Sequence, residues 1–242
     1  MGQQTAMQGT TADAAEIARF GGLARDWWDP AGPMRPLHGM NALRVRWIAE
    51  RARRAAGGIE GLALLDVGCG AGLAAEALAR QGFSVLGIDA SAALIEVAEA
   101  HATGQGLPLA YRTALPEDLA AEGLKVRVIT ALEVIEHVPD PAAFLRALGE
   151  LLLPGGFLFL STINRTIEAL AVAKIGAEYV LRLLPRGTHD WRRFIRPAEM
   201  DRLLAEAGFR LADLAGMVFD PLSGRWRESR DLSVNYILMA AG

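Results

Sequence analysis

Short apolar runs alternate with helical patterns through the middle of the chain. The apolar runs are LALLDV, FSVLGI, LPLAY, VRVITA and FLFLS, and they extend from residue 62 to residue 161. Continuous apolar runs of this length are typical of parallel strands that are buried on both faces. Helical patterns cover 71–81, 91–102 and 141–152, with Ser91 at an N-cap position and Pro141 in a first turn. The alternation predicts a doubly wound α/β sheet.

The two ends of the chain have a different pattern. Residues 1–18 are small and polar without periodicity, which predicts a disordered tail. Residues 19–58 are aromatic and basic, and we expect them to form a helical cap of two helices around a loop. After one more helical pattern, apolar runs at 209–214 and 234–240 predict two further strands. Because no linker interrupts the sheet, residues 19–242 are expected to form a single domain.

Composition narrows the class of protein. The 242 residues are 52% hydrophobic with a formal net charge of -3, which is typical of a folded soluble protein. Nucleic-acid-binding proteins usually carry a large basic excess, so no nucleic-acid partner is expected. No stretch reaches the roughly 20 apolar residues that a membrane-spanning helix needs. The single cysteine and the polar N-terminus, which lacks a secretory signal, predict a cytoplasmic location.

A glycine-rich turn follows the first apolar run. Residues 68–72 read Gly-Cys-Gly-Ala-Gly and lie between a predicted strand and a predicted helix. Bare backbone in such a turn lets a ligand approach closely, and amide groups at the helix start face its anionic part. Asp89 ends the next strand about 20 residues later. A carboxylate at this position can accept hydrogen bonds from both hydroxyls of a ribose. The predicted cofactor-binding residues of this region are Gly68, Cys69, Gly70 and Asp89.

The spacing of the glycines distinguishes two kinds of cofactor. A dinucleotide-binding turn has the pattern G-x-G-x-x-G, which would need a glycine where Leu73 stands. The observed pattern is G-x-G-x-G with Asp66 before it, and it resembles motif I of S-adenosylmethionine-dependent methyltransferases. On its own the turn is also consistent with an α/β protein that binds another ligand. We interpret Cys69 as a small side chain tolerated in a crowded turn, not as a nucleophile.

Two carboxylates and an imidazole follow the fourth apolar run. Leu132 is expected to face the adenine or the sulfonium of the cofactor. Glu133, Glu136 and His137 come directly after it and are expected to line the acceptor pocket. Such a set can hold a divalent ion or take a proton from a hydroxyl, and methylation of a mostly protonated phenol needs one of the two. In the structural alternative, Glu136 and His137 cap the helix that begins near Pro141.

Several separate motifs give the chain a resemblance to a known family. They are WWD at 27–29 followed by PLH and NALR, then LDVGCGAG, GIDAS, LEVIEHVPDP, STINRT, GAEYVLRLLPRGTHDWRRFIRP and the terminal VNYILMA. From Phe20 to the C-terminus, the chain resembles the ubiquinone biosynthesis O-methyltransferase family. The resemblance implies a Rossmann-like class I methyltransferase with a seven-stranded, mostly parallel sheet and an antiparallel last strand. It also implies N-terminal helices and a helical insertion at 164–197.

The resemblance further implies a cofactor and its site residues. S-adenosylmethionine is the expected cofactor, and the family's contact positions are matched by Arg44, Gly68, Asp89 and Leu132. Arg44 is suited to grip the methionine carboxylate with paired hydrogen bonds. The family's E-x-x-E-H pattern, associated in some relatives with a divalent metal such as magnesium, is matched by Glu133, Glu136 and His137. Some relatives carry methionine at position 132, a change of similar volume.

The implied function is methylation of ring hydroxyls in polyprenylated catechol or hydroxyquinol intermediates of ubiquinone biosynthesis. A polyprenylated phenol would be the substrate, and other proteins of the pathway are candidate partners. Three alternatives stay open. They are a methyltransferase for another small molecule, an NAD-dependent oxidoreductase, and a non-catalytic module that binds the cofactor and a membrane.

The insertion at 164–197 is amphipathic and basic. Between residues 174 and 196, six cations stand against two anions, so this stretch carries +4 in a chain of net charge -3. Such a stretch is suited to an anionic membrane surface, where a polyprenylated substrate would reside. We therefore expect peripheral contact with the inner face of the membrane. In the alternative, the stretch is a lid that packs on the sheet and leaves its arginines in water.

Two adjacent tryptophans stand out in the N-terminal cap. The indole rings of Trp27 and Trp28 are expected either to roof the same pocket or to serve as buried packing anchors.

Overall fold

The computed structural model describes residues 11–170, 191–220 and 222–242. Within these ranges eight strands form one sheet: β1 (Ala63–Val67), β2 (Ser84–Asp89), β3 (Leu109–Thr113), β4 (Val126–Leu132), β5 (Leu152–Ile163), β6 (Arg210–Asp220), β7 (Arg225–Ser229) and β8 (Asn235–Ala241). The described helices are α1 (Ala14–Gly21), α2 (Arg35–Ala56), α3 (Leu73–Arg80), α4 (Ala92–Ala102), α5 (Pro116–Ala121), α6 (Pro141–Leu151), α7 (Ile167–Leu170) and α8 (Pro197–Glu206). Short 3-10 turns cover Ala24–Asp26 and Trp191–Arg193.

The strand order is β3-β2-β1-β4-β5-β8-β6-β7. The first five strands are parallel, and each connection between them runs through a helix that covers a face of the sheet. β8 is inserted between β5 and β6 and runs antiparallel to both. The predicted doubly wound α/β fold, with an antiparallel last strand, is confirmed.

The sheet has one strand more than the seven predicted from the sequence. The additional strand is β7, which pairs antiparallel with the last part of β6, from Gly216 to Asp220. Its sequence RWRES contains no apolar run, so nothing in the hydrophobic pattern marks it as a strand. Charged residues suit an edge strand because they discourage pairing with another chain.

The N-terminal segment is folded from Thr11 onward. Asp13 caps α1 by accepting a hydrogen bond from the amide of Ala15 at 2.9 Å. Thr11 donates from its amide and its hydroxyl to the carboxylate of Glu117, at 2.9 and 2.7 Å. The prediction of a disordered tail over residues 1–18 is therefore wrong for 11–18, where contacts distant in sequence stabilise a short amphipathic helix. Residues 1–10 lie outside the described residues.

Only the two ends of the predicted insertion at 164–197 are described. The chain leaves β5 through α7 and returns through a 3-10 turn to α8. The hydroxyl of Tyr236 in β8 donates to the carbonyl of Ile195 at 2.9 Å, which ties the returning chain to the sheet. The amphipathic stretch between these ends, residues 171–190, lies outside the described residues.

Two apolar layers cover the faces of the sheet. One lies under α5, α6 and α8 and includes Phe144 and Met200, and the other lies under α2, α3 and α4 and includes Trp47 and Phe83. All four side chains are at most 2% exposed. Burial of a large apolar side chain contributes roughly 1.5–3 kcal/mol, so these layers fix the helices against the sheet. The carboxyl ends of β2, β1 and β4 are thereby held side by side.

Candidate functional site

The glycine turn begins where β1 ends and leads into α3. Gly68, Gly70 and Gly72 have φ angles of 66°, 57° and 91°, a conformation that other L-residues rarely adopt. A Cβ on Gly68 would overlap with Val134, and one on Gly72 would overlap with Tyr111. The turn therefore requires glycine both for its backbone conformation and for the space around it.

Asp89, the last residue of β2, is held against this turn. Its two carboxylate oxygens accept hydrogen bonds from the amides of Gly70 at 3.0 Å and Ser91 at 2.8 Å. Burial raises the pKa of this carboxyl, although the backbone hydrogen bonds act in the opposite direction. Each oxygen keeps a further acceptor position, so the oriented carboxylate can receive hydroxyl donors such as those of a ribose. The structure thus brings Gly70 and Asp89 into direct contact.

Asp66 in β1 is a buried carboxyl next to the turn. One oxygen accepts a hydrogen bond from the Thr130 hydroxyl at 2.6 Å, and the other has no hydrogen-bond partner among the described residues. Burial raises the pKa of Asp66 to about 7 against the effect of the Thr130 hydrogen bond, and the charge of Asp89 adds to the rise. A buried acceptor without a donor costs about 1–3 kcal/mol. A cationic ligand group would supply that donor.

Arg44 reaches the end of β4 from α2. Its Nη2 donates to Oε1 of Glu133 at 2.6 Å, and the Ser161 hydroxyl donates to the same oxygen at 2.8 Å. Glu133 has a φ of 58°, a conformation that costs a non-glycine residue roughly 1–3 kcal/mol. The Nε of Arg44 is buried and has no hydrogen-bond partner in the described part of the chain. Glu133 therefore orients Arg44, and the guanidinium keeps a donor for an anionic group.

The structure separates the three side chains of the predicted metal site. Glu133 turns to the guanidinium, Glu136 accepts a hydrogen bond from Thr162 at 2.9 Å, and Nδ1 of His137 lies 2.9 Å from a carboxylate oxygen of Glu16. Across the described residues, no three His, Cys, Asp or Glu side chains form a group that could hold a metal ion. In this arrangement the three residues do not fit the metal centre expected from the sequence.

Glu136 is buried on the other side of the loop that follows β4. Burial raises the pKa of Glu136 to about 7, and the nearby charge of Glu133 adds to the rise while that of His137 opposes it. Glu136 also lines a cavity of about 570 Å³ between this loop and the start of α8. The cavity walls include Arg165 and Phe194 but no residue of the glycine turn. The cavity is therefore separate from the predicted cofactor site.

Two predicted cofactor-binding residues have mainly apolar surroundings. Leu132 ends β4 and packs against the apolar layer under α2. Cys69 is buried in the turn, where its thiol lies 3.5 Å from the carbonyl oxygen of Gly70. Burial raises the pKa of this thiol well above its ordinary value, so it stays neutral. The environment of Cys69 supports the interpretation of a small side chain in a crowded turn.

Sequence reasoning does not identify all of the polar residues at this edge. Glu16 lies within the predicted tail, where the short amphipathic pattern of α1 could have indicated a helix. Ser161 and Thr162 end an apolar run, and only their position at the carboxyl end of a predicted strand could have indicated them. Each of the three contacts a residue that the sequence analysis predicted for the site: His137, Glu133 and Glu136 respectively.

The polar groups at this edge fit the methionine end of S-adenosylmethionine. The Nε of Arg44 is a buried donor and one carboxylate oxygen of Asp66 is a buried acceptor. Neither of these two atoms has a hydrogen-bond partner among the described residues. An amino-acid group carries the complementary pair, a carboxylate and an ammonium. Asp89 adds acceptors suited to ribose hydroxyls. Donor and acceptor chemistry therefore matches the methionine and the ribose parts of this cofactor.

Comparisons with known proteins identify the domain and the fold as those of a methyltransferase. Residues 40–214 match the family model of a methyltransferase domain. Magnesium protoporphyrin IX methyltransferase from Synechocystis, solved with bound SAH (S-adenosylhomocysteine), is 25% identical with a TM-score of 0.59, over 84% of this chain and 83% of that chain. An S-adenosylmethionine-dependent methyltransferase from Clostridium acetobutylicum, 13% identical, has a TM-score of 0.61 over 82% and 90% of the two chains. The fold and the site define a class I S-adenosylmethionine-dependent methyltransferase.

Relatives of higher identity specify the family. Proteins named ubiquinone biosynthesis O-methyltransferase from a Chelativorans species and from Parvibaculum lavamentivorans are 49% and 48% identical, each over 96% of this chain and 94% of the relative. The protein of that name from Caulobacter vibrioides is 48% identical over 93% of both chains. The chain belongs to the ubiquinone biosynthesis O-methyltransferase family.

Proposed function

We propose that this enzyme methylates ring hydroxyls of polyprenylated catechol or hydroxyquinol intermediates in ubiquinone biosynthesis. The observation that carries the proposal is 49% identity over 96% of the chain to a relative named for that pathway. The polar groups at the ends of β1, β2 and β4 support it, because they offer partners for a cofactor and a base for the acceptor. A methyltransferase for another small molecule remains the alternative that the experiment below distinguishes.

The residues of the chain account for binding and orientation of the cofactor. S-adenosylmethionine, when bound, supplies an electrophilic methyl group. Asp89, fixed by two backbone amides, accepts hydrogen bonds from the ribose hydroxyls. Arg44 donates a hydrogen bond to the methionine carboxylate, and Asp66 accepts one from the ammonium. Since Glu133, which accepts a hydrogen bond from Ser161, already holds Arg44 in place, little side-chain entropy is lost when the ligand binds.

We assign removal of the hydroxyl proton to His137. A carboxylate only accepts hydrogen bonds, so the contact with Glu16 places the proton of the neutral imidazole on Nδ1 and leaves Nε2 as the acceptor. Phe20 packs edge-on against the ring, with centroids 5.0 Å apart, and limits its rotation. A phenol with a pKa of about 10 is a poor nucleophile while protonated, and Nε2 takes its proton as the new bond forms. Glu16 then stabilises the imidazolium.

The two carboxylates predicted as catalytic have other roles in this proposal. Glu133 is a positioning residue, because it orients the guanidinium that binds the cofactor. Glu136 is buried against the Thr162 hydroxyl, and we assign it no proton transfer. The metal predicted for these residues and His137 has no role in the proposal.

Methyl transfer to simple acceptors tests these assignments. We expect the purified chain to transfer labelled methyl groups to a catechol and to a hydroquinone analogue. His137→Gln should lower kcat by roughly 10²- to 10³-fold, because a positioned base contributes that much, with little change in the KM for S-adenosylmethionine. Glu99→Gln, on the exposed side of α4, is the matched control and should keep full activity.

Three outcomes would contradict the proposal at different points. A chain that binds S-adenosylhomocysteine but methylates neither acceptor would indicate another small-molecule substrate. A chain that binds NAD and no S-adenosylhomocysteine would indicate an oxidoreductase. Loss of activity with a chelator would contradict the assignment of proton removal to His137 alone.

We further propose that the enzyme acts in the cytoplasm, at the inner face of the membrane, through residues 164–197. Support comes from the +4 charge between residues 174 and 196 and from the lipid solubility of a polyprenylated substrate. No helix in the described part of the chain is long and apolar enough to cross a bilayer. Flotation with anionic vesicles at low salt tests the contact, with zwitterionic vesicles as control. A chain that stays in the soluble fraction with both would refute it.

A further inference from the structure

Residues 11–34, here termed the strap, cross the carboxyl edge of the sheet. The strap contacts the segment that follows each of the strands β1 to β4. The contacts are Trp27 with Gly70 after β1, Gly21 with Ser91 after β2, Thr11 with Glu117 after β3, and Glu16 with His137 after β4. Ligands of open α/β sheets bind in the crevice outside these strand ends. A ligand bound there lies between the strap and the sheet.

Trp27 is the strap residue that faces the glycine turn. Its side chain is buried, and its ring occupies the space that a Cβ on Gly70 would need. The ring nitrogen Nε1 is bonded to Cε2, one of the three ring atoms closest to that position. Nε1 is buried and has no hydrogen-bond partner among the described residues. Since a buried indole N–H usually finds a partner, this donor points to a ligand acceptor.

Nε1 of Trp27 is one of several buried polar atoms that have no hydrogen-bond partner in the described residues. Two of the others belong to residues assigned above to the methionine end of the cofactor: the donor Nε of Arg44 and a carboxylate oxygen of Asp66. A carboxylate offers about four acceptor positions, so one carboxylate can receive hydrogen bonds from both Arg44 and Trp27. An adjacent ammonium would serve Asp66. Two donors and one acceptor thus match an amino-acid group.

The next residue, Trp28, fixes this part of the strap. Its ring stacks on His101 of α4 with centroids 3.5 Å apart and planes 7° from parallel, and its Nε1 donates to the carbonyl of Ala71 at 2.9 Å. Nδ1 of His101 lies 2.6 Å from the buried carboxylate of Glu76. These contacts hold Trp28, and with it the adjacent Trp27, against the glycine turn and α4.

We propose that Trp27 is a cofactor-binding residue that donates its indole N–H to the methionine carboxylate of the cofactor. Trp28 and His101 are positioning residues, because they hold Trp27 against the turn. The inference rests on the proposed function, since it requires an S-adenosylmethionine-type ligand at this turn.

Two ligands of the full chain separate this role from simple packing. S-adenosylhomocysteine carries the amino-acid group, whereas 5′-methylthioadenosine lacks it. By calorimetric titration, Trp27→Phe should lower the affinity for S-adenosylhomocysteine about tenfold, as expected for one lost hydrogen bond to a charged group. The affinity for 5′-methylthioadenosine should change by no more than about twofold. Replacement of Trp27 by benzothienylalanine, which keeps the ring shape and removes the N–H, should give the same split.

Variants of His101 test the positioning role. His101→Ala should weaken S-adenosylhomocysteine binding about fivefold, since a stacked pair contributes on that scale. His101→Phe, which keeps a ring under Trp28, should restore most of the affinity. Glu96→Ala, on the exposed side of α4, is the control and should bind like the wild type.

The results distinguish the inference from the proposed function. A wild-type chain that binds no S-adenosylhomocysteine overturns both. If the wild type binds it, an unchanged affinity in the benzothienylalanine variant, or equal losses for both ligands in Trp27→Phe, overturns the inference alone.

Discussion

Replacement of Asp66 by asparagine should stabilise the ligand-free enzyme above neutral pH. Asp66 is 2% exposed, and its pKa is raised from 3.8 to about 7 by burial and, in smaller part, by the charge of Asp89. A carboxyl with a higher pKa in the folded than in the unfolded chain contributes its full stability only below the unfolded pKa. Stability is then lost as the pH rises from about 4 to about 7, because only the unfolded chain ionises easily.

The size of the effect follows from the shift. A rise in pKa from 3.8 to about 7 corresponds to a destabilisation on the order of 4 kcal/mol at pH values above the folded pKa. Asparagine cannot ionise, and its carbonyl oxygen can still accept the hydrogen bond from Thr130. The free energy of unfolding of Asp66→Asn should therefore match that of the wild type near pH 4. Between about pH 4 and pH 7 the variant should become increasingly more stable than the wild type. Above about pH 7 the difference between the two free energies of unfolding should stay constant.

Urea unfolding at pH 4.5, 6 and 8 without ligand measures this difference. Asp201→Asn, which removes a carboxyl from the exposed side of α8, is the matched control and should show no such pH dependence. At pH 8 the same Asp66→Asn variant should bind S-adenosylhomocysteine more weakly, because its ammonium loses a charged partner. A gain in stability that is equal at pH 4.5 and pH 8, or a loss at pH 8, would refute the reasoning.

Two further predictions concern the cofactor contacts. Gly70→Ala should weaken S-adenosylhomocysteine binding at least about tenfold in calorimetry, because φ is 57° and Trp27 fills the space; Gly104→Ala, with φ of 79° and open surroundings, should keep the affinity. Arg44→Gln should lower the free energy of unfolding by about 3–5 kcal/mol, since it leaves the Glu133 carboxylate unpaired. Adding Glu133→Gln should recover stability but not cofactor affinity, and recovery of both would contradict a binding role for Arg44.

The elements that the sequence predicts are those whose pattern is set by burial alone. β1, β2, β4 and β5 are largely buried beneath the helices, so their apolar runs are visible without knowledge of the rest of the chain. α1 and β7 depend instead on partners distant in sequence. α1 contributes Glu16 to a contact with His137, and β7 exists because β6 extends past β8 to pair with it. Local pattern carries no information about such partners.

The same distinction applies to the site. The positions of Asp89 and of the glycine turn follow from where strands end, so residue types and spacing predict them. The partners of the E-x-x-E-H residues do not follow from spacing. Glu133 adopts a left-handed φ of 58° directly after β4, which turns the chain, so Glu136 and His137 do not share its partner. Arg44, 89 residues away in the sequence, decides what Glu133 does.

A common principle connects the polar residues of the site. Asp89, Arg44 and His137 each use part of their hydrogen-bonding capacity on a protein partner, which fixes their orientation before any ligand arrives. Each keeps another part for a ligand, so binding costs little reorganisation. The strap adds Glu16 and Trp27 to this arrangement from one continuous segment. In our proposals, orientation of the base and binding of the cofactor therefore depend on the same contact between the strap and the sheet.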